Sequence, residues 1–164
     1  VYQKLGEVKR AIGVYIEALK IAHEIEDRRG QSNILINLGS AFYAVDEARR
    51  AIEFYEAALP ITRELNDRAG EETAIGNLGN SYYALGDLKR AQDFYEQSIT
   101  LARRIGDKRG EGTAVFNKSI ILDNLGDRSQ AIIHAETALK LFEEIEEPHA
   151  IRIREKLIEW RETK

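Results

Sequence analysis

Three asparagines, Asn37, Asn77 and Asn117, stand forty residues apart, each inside a run whose apolar spacing reads as helix. Asparagine is a mediocre helix former because its amide competes for backbone groups, so its return in the first helix of three successive pairs needs a reason. A carboxamide offers a donor and an acceptor together. It suits either a bond to a neighbouring helix inside the fold or a grip on a bound chain, and the residue type leaves both open.

Other polar residues are weaker candidates. Lys118 stands where its repeat mates are Leu38 and Leu78, so its ammonium either snorkels out along its stem, the expected outcome, or pairs with a carboxylate. Arg28, Arg29, Arg68, Lys108 and Arg109, with Arg103 and Arg104 nearby, line the edge where first helices begin, and solvated turn charges are the expected reading there. His23, His134 and His149 are too scattered for a zinc site evident from sequence. Gly76-Asn77-Leu78-Gly79 lies inside a helix and lacks a following Gly-Lys-Ser/Thr, which argues against a phosphate loop. No pairing of nucleophile and base is visible. No enzyme activity, metal or cofactor is expected.

The 164 residues carry a formal charge of -4 with both signs abundant, which gives no reason to expect nucleic acid or an anionic membrane as partner. Cysteine is absent, and no apolar run approaches the ~20 residues of a membrane span. A cytoplasmic location is compatible with both.

The elements that must position these residues follow from a forty-residue repeat. Asp27-Arg28-Arg29-Gly30, Asp67-Arg68-Ala69-Gly70 and Asp107-Lys108-Arg109-Gly110 superpose without a gap, as do Ala11, Ala51, Ala91 and Ala131. Within the best copy, Ala74, Leu78, Tyr82 and Leu85 mark one helix face and Ala91, Tyr95, Ser98, Ala102 and Ile105 another, with Gly86-Asp87 turning between them. Helices are predicted over about 8–25, 28–45, 48–65, 68–85, 88–105, 108–125 and 128–145. Pro60 should bend or interrupt its helix. Pro148 should open a last helix whose stripe is Ala150, Ile153, Leu157 and Trp160, a polar-backed cap. Val1 to Leu5 aligns with the second half of a first helix, with Tyr2 at the place of Phe42 and Gly6-Glu7 as its turn. The chain is therefore expected to start inside a repeat, as a piece of a longer protein. Gly39 and Gly79 each cost their helix about 1 kcal/mol relative to alanine. The cost predicts a partner helix passing close, with Ala51 and Ala91 facing them. The division expected is one repeat domain over 1–164: a truncated repeat 1–27, then 28–67, 68–107 and 108–147, and a cap 148–164.

The small and large positions Asn77-Leu78-Gly79, Tyr82, Ala91, Tyr95 and Ser98, matched by Leu38, Gly39, Phe42, Ala51, Tyr55 and Ala58, make the chain resemble the tetratricopeptide repeat family. Arg63 and Arg103 stand where that family usually closes with proline, and the forty-residue spacing is similar to the long-repeat subclass of Pins/LGN-type adaptors and of bacterial arrays attached to signalling ATPases. The resemblance implies an all-α, right-handed superhelical solenoid of antiparallel helix pairs. It also implies a protein-protein interaction scaffold that binds an extended or helical peptide segment in its concave groove. It places the asparagines on that face, similar to the ladder with which O-linked N-acetylglucosamine transferase grips a peptide main chain. First helices about 10 Å apart would then offer an extended ligand, rising ~3.3 Å per residue, one rung every three residues or so. The implied groove adds Ser32, Ile36, Ser40 and Tyr43, then Glu72, Gly76, Asn80 and Tyr83, then Gly112, Phe116, Ile120 and Asp123. The carboxylate-clamp cations are missing at their family places, so a neutral or basic segment is the expected guest. The alternative is a regulatory or sensor array of a larger signalling protein, acting through intramolecular contacts or self-association at the open N-terminal repeat.

Overall fold

The structure, a computed structural model, describes the backbone of residues 2–162 and the side chains of residues 6–162. The places expected for Val1 and for the Tyr2 and Leu5 side chains lie outside those residues. The chain forms helices α1 (Tyr2–Glu24), α2 (Arg28–Tyr43), α3 (Ala48–Glu64), α4 (Arg68–Ala84), α5 (Leu88–Ile105), α6 (Lys108–Asn124), α7 (Arg128–Glu144) and α8 (Ala150–Glu162), with no strand among the described residues. They are stacked helix pairs, in two compact units, Val1–Ala91 and Gln92–Lys164. In the first, α2 packs on α1, α3 and α4; in the second, α7 packs between α6 and α8.

One device makes every turn. Glu26, Asp46, Asn66, Gly86, Gly106, Gly126 and Glu146 follow at steps of twenty, and each has a φ between 53° and 86°. The N–H of the next residue reaches back five positions, as from Asp67 to Thr62 at 2.8 Å and from Asp87 to Tyr82 at 3.0 Å, which closes a Schellman motif. That same next residue then starts the following helix. Asp27, Asp67 and Asp107 accept from the N–H groups of Gly30, Gly70 and Gly110 at 2.8, 3.0 and 2.9 Å. The glycines leave room for the capping carboxylates, since a Cβ on Gly70 would stand 2.6 Å from Asp67 Oδ2.

Two sequence expectations fail. The series of turns would continue to Gly6, but α1 runs unbroken from Tyr2 to Glu24 and Gly6 lacks the left-handed φ. Glu7 is a poor cap, as Glu47 shows in the corresponding place by making no side-chain cap bond. Continuing the backbone ladder satisfies more groups than turning. Nor does Pro60 interrupt α3. Both Pro60 and Glu56, whose carbonyl loses its donor, are exposed, so water can replace the missing bond, while Leu59, Ile61 and Thr62 are buried on the other side.

Packing explains the glycines, with a different facing residue from the one expected. A Cβ on Gly39 would lie 2.5–2.8 Å from the ring of Tyr55, not against Ala51. Tyr55 is buried, and its hydroxyl donates to Ser40 Oγ at 3.1 Å. In the last pair Ser119 and Ala135 replace that glycine and tyrosine, and the notch moves. Gly112, seven residues earlier on α6, now receives the ring of Phe142, seven residues later on α7, at 2.6 Å from a hypothetical Cβ. Opposite shifts on the two chains are what an antiparallel pair requires to keep a large side chain over a glycine. Gly112 is accordingly core, not groove. The cap stripe Ala150, Ile153, Leu157 and Trp160 is buried beside Phe142 as its spacing predicts.

Charged seams join successive pairs. Glu71, 7% exposed, accepts from Arg63 of the preceding helix and from Arg68, each at 2.8 Å, and Arg103 meets Glu111 at 2.6 Å in the same way. These arginines occupy the places where the family's closing proline was missed.

Replacing Gly39 by alanine should destabilise by about 1–3 kcal/mol, because overpacking against a buried ring exceeds the helix-propensity gain. Gly13→Ala, where a Cβ meets nothing within 4 Å, should instead stabilise by about 0.5–1 kcal/mol. Urea unfolding distinguishes the two signs. Burial raises the Glu71 pKa, but its hydrogen bonds from Arg63 and Arg68 and their charges together hold it below the usual carboxylate value. Its stabilising contribution is therefore complete above about pH 4.3, the unfolded carboxylate value, and is lost as pH falls from there through the lower folded pKa. The difference in urea midpoint between wild type and Glu71→Gln should shrink as pH falls below about 4.3.

Candidate functional site

Within the first unit, Asn37, Ser40 and Tyr43 lie on α2, and Glu72, Asn77, Asn80 and Tyr83 on the neighbouring α4. Asn37 is exposed and Asn77 half-buried, and neither side-chain amide has a hydrogen bond among the described residues. Tyr43 and Tyr83 are 39% and 37% exposed. Glu72 and Asn80 are half-buried and have interactions of their own. Ser40 is exposed but occupied: its hydroxyl donates to the Ile36 carbonyl at 3.0 Å while accepting from Tyr55. It ties α2 to α3, a use the sequence did not reveal.

Within the second unit, Phe116, Asn117 and Asp123 lie on α6. Asn117 is half-buried and interacts within the fold. Phe116 belongs to the core, at 8% exposure. Asp123 pairs with Arg128, whose guanidinium lies 5.9 Å from the Trp160 ring centroid, so it helps seat the last helix. Of the ten predicted positions, those on α2 and α4 all keep some exposure, though Ser40, Glu72, Asn80 and Tyr83 have interactions of their own, and the set on α6 is partly structural.

Lys118 follows the second of its two alternatives. Its side chain is 12% exposed, and its ammonium pairs with Glu96 of α5 rather than reaching free solvent. Helix α5 is close enough for a partner to be nearer than water. The basic edge is also mostly neutralised: Arg28 meets Glu64 and Lys108 meets Glu144, each at 2.7 Å, while Arg68 is held by Glu71. The Glu64 carboxyl is held low by its hydrogen bond from Arg28.

A cavity of about 300 Å³ opens between α6 and the start of α8. Phe116, Phe142 and Ile153, all buried, form its floor, and the exposed Arg109, His149 and Arg152 stand around it with Asn117. Arg109 Nη2 is 2.7 Å from Glu147 Oε2, near enough for an ion pair but off the line of a hydrogen bond. His149 Nδ1 is 2.7 Å from the other Glu147 oxygen, and this contact, the first cause, holds the carboxyl below its usual range against the effect of burial. The sequence predicts a polar-backed cap here without singling out Arg152. The only signal was a basic side chain three residues into a helix whose stripe turns inward.

No group of three or more histidine, cysteine, aspartate or glutamate side chains is placed to hold a metal ion among the described residues, and none of their helices is long and apolar enough to cross a membrane.

Comparison with known proteins agrees with this architecture. The family model described as tetratricopeptide repeat matches residues 1–64 and 71–144, and the chain belongs to that family. Among curated proteins none matches it significantly. Solved structures with a similar fold include the apo form of RapI, at a TM-score of 0.87 and 18% identity over 94% of this chain and 57% of that one. A Rap protein complexed with competence and sporulation factor gives 0.82 and 20% over 93% and 43%. The Pyrococcus horikoshii signal transduction ATPase with numerous domains, which has a tetratricopeptide repeat sensor, gives 0.81 and 18% over 93% and 24%. The chain spans less than two thirds of the length of each.

Lys118→Leu should raise stability by about 1 kcal/mol or more, because a leucine replaces a largely desolvated charge whose partner Glu96 is left half-exposed and can be solvated. Thermal unfolding of the variant measures it, and a lowered midpoint would mean that the ion pair contributes more than its desolvation costs.

Proposed function

We propose that the chain is a protein-binding scaffold whose first-helix face receives an extended or helical segment of another protein. The observation that carries this reading is that the amides of Asn37 and Asn77 make no hydrogen bond among the described residues, on the same two helices that carry the part-exposed rings of Tyr43 and Tyr83. Carboxamides without internal partners are available to a peptide main chain, and tyrosines supply apolar area at little entropic cost. Asn117 is included as the third member of the series, with Glu72 and Asn80 as flanking groups. Long-repeat adaptors of the Pins/LGN type are the kind of scaffold meant, on the strength of the forty-residue spacing, and a cytoplasmic setting goes with it. The complex of a similarly folded Rap protein with competence and sporulation factor supports a bound guest on this fold. No catalytic step and no nucleic-acid partner are part of the proposal.

A second reading has its own observation. Val14, Ile21 and Ile25 of the first helix and its following turn are 67%, 56% and 67% exposed, and the similarly folded ATPase carries its repeats as a sensor. A regulatory array acting through contacts at α1, with another part of a larger protein or with a second copy, would use that surface. Mass by light scattering that rises with concentration would favour the second copy.

Partner recovery by the wild-type chain and by a variant with Asn37, Asn77 and Asn117 all changed to alanine tests the first reading. Loss of the hydrogen bonds offered by Asn37 and Asn77, ~0.5–1.5 kcal/mol each, should weaken capture by about fivefold or more. Equal recovery by two equally folded proteins would remove the asparagines from the binding face.

A further inference from the structure

The cavity between α6 and α8 differs in its balance of charge from the starts of α2 and α6. At the starts of α2 and α6, Arg28 and Lys108 each have one acidic partner. At the cavity one carboxylate, Glu147, is shared between Arg109 and His149, and Arg152 has no ion pair among the described residues. Positive charge is therefore in excess beside a floor of Phe116, Phe142 and Ile153. A small inorganic anion would satisfy the arginine alone and leave the rest of the cavity unfilled. A purely apolar side chain would cover the floor and leave Arg152 unmatched.

We infer that this cavity docks an apolar residue bearing an adjacent carboxylate, within or at the end of the segment that the scaffold binds. Its volume of about 300 Å³ is at the small end of ligand pockets and suits a single residue. The apolar side chain lies on the Phe142 and Ile153 floor, and the carboxylate meets the Arg152 guanidinium, whose planar fork matches two oxygens at once. The start of α8 adds its partial positive charge on the same side. The partner segment is thus acidic at this point, against the neutral or basic guest that the groove positions suggested. Two sources supply the same chemistry: the α-carboxylate of a terminal residue, or an aspartate beside an apolar residue in mid-chain. The inference rests on the peptide-binding reading for its natural ligand, but the pocket can be tested without one.

Isotope-labelled protein is titrated by NMR with N-acetyl-leucine, N-acetyl-leucinamide, N-acetyl-aspartyl-leucinamide and inorganic phosphate, following the backbone amides of Thr113, Asn117 and Arg152. The expected result is saturable binding of N-acetyl-leucine, at least about tenfold weaker for the leucinamide and for phosphate, and weakened about tenfold by Arg152→Gln, which alters an exposed side chain. Binding of the aspartyl peptide as tight as that of N-acetyl-leucine assigns the mid-chain source, and much weaker binding assigns the terminus. The inference is overturned if leucinamide or phosphate binds as well as N-acetyl-leucine, if no probe saturates, or if Arg152→Gln changes nothing. Asn37→Ala and Asn77→Ala should leave the titration unchanged, so failure of the asparagine reading and failure of this pocket give different results.

Discussion

Everything in this molecule depends on a turn that recurs every twenty residues. One residue in the left-handed region closes the preceding helix, and the next, usually aspartate, both completes that closure and caps the following helix. Helix length is then fixed at four to five turns, and residues forty apart return to the same place on equivalent helices. The cost of placing Glu26, Asp46, Asn66 and Glu146 in that conformation, on the order of 1 kcal/mol each, is offset by backbone bonds that would otherwise be missing at both helix ends. The asparagine series and the glycine notches inherit their register from this device.

Within that register the interior is defined by shape and the surface by charge. A glycine under an aromatic ring sets the approach of paired helices, and when the last pair loses the tyrosine the notch moves along both helices together and is refilled by Phe142. Several cations at helix starts are matched by a carboxylate, from a neighbouring helix for Arg28 and Lys108 and from their own helix start for Arg68 and Arg90. The two amides of the first unit and Arg152 in the second are among the polar groups with no hydrogen bond or ion pair among the described residues, and the binding roles proposed above fall on them.

How much of this could be read from sequence follows from the range of the interactions. Periodicity gave the helices to within a residue or two, and the stripe of α8, because both depend on local spacing. It failed at Gly6, where the helix runs on, and did not foresee that α3 continues through Pro60, where solvent can satisfy the lost bond. The ten site positions divided for the same reason. Asn37, Asn77, Tyr43 and Tyr83 were surface residues by helical phase alone, whereas Ser40, Phe116 and Asp123 are engaged by Tyr55, the core and Arg128, partners that phase cannot supply. The cavity beside α8 was invisible because its charges come from a helix start, a turn and a cap that are adjacent only in the folded chain.

The central claim is that the fold leaves the amides of Asn37 and Asn77 unused. Hydrogen exchange of their side-chain NH₂ groups in the ligand-free protein, measured by NMR, addresses it directly. Rates close to those of exposed carboxamides in an unstructured peptide are predicted. Protection of either amide in the absence of any partner would show that it is bonded inside the stack, and would contradict the account.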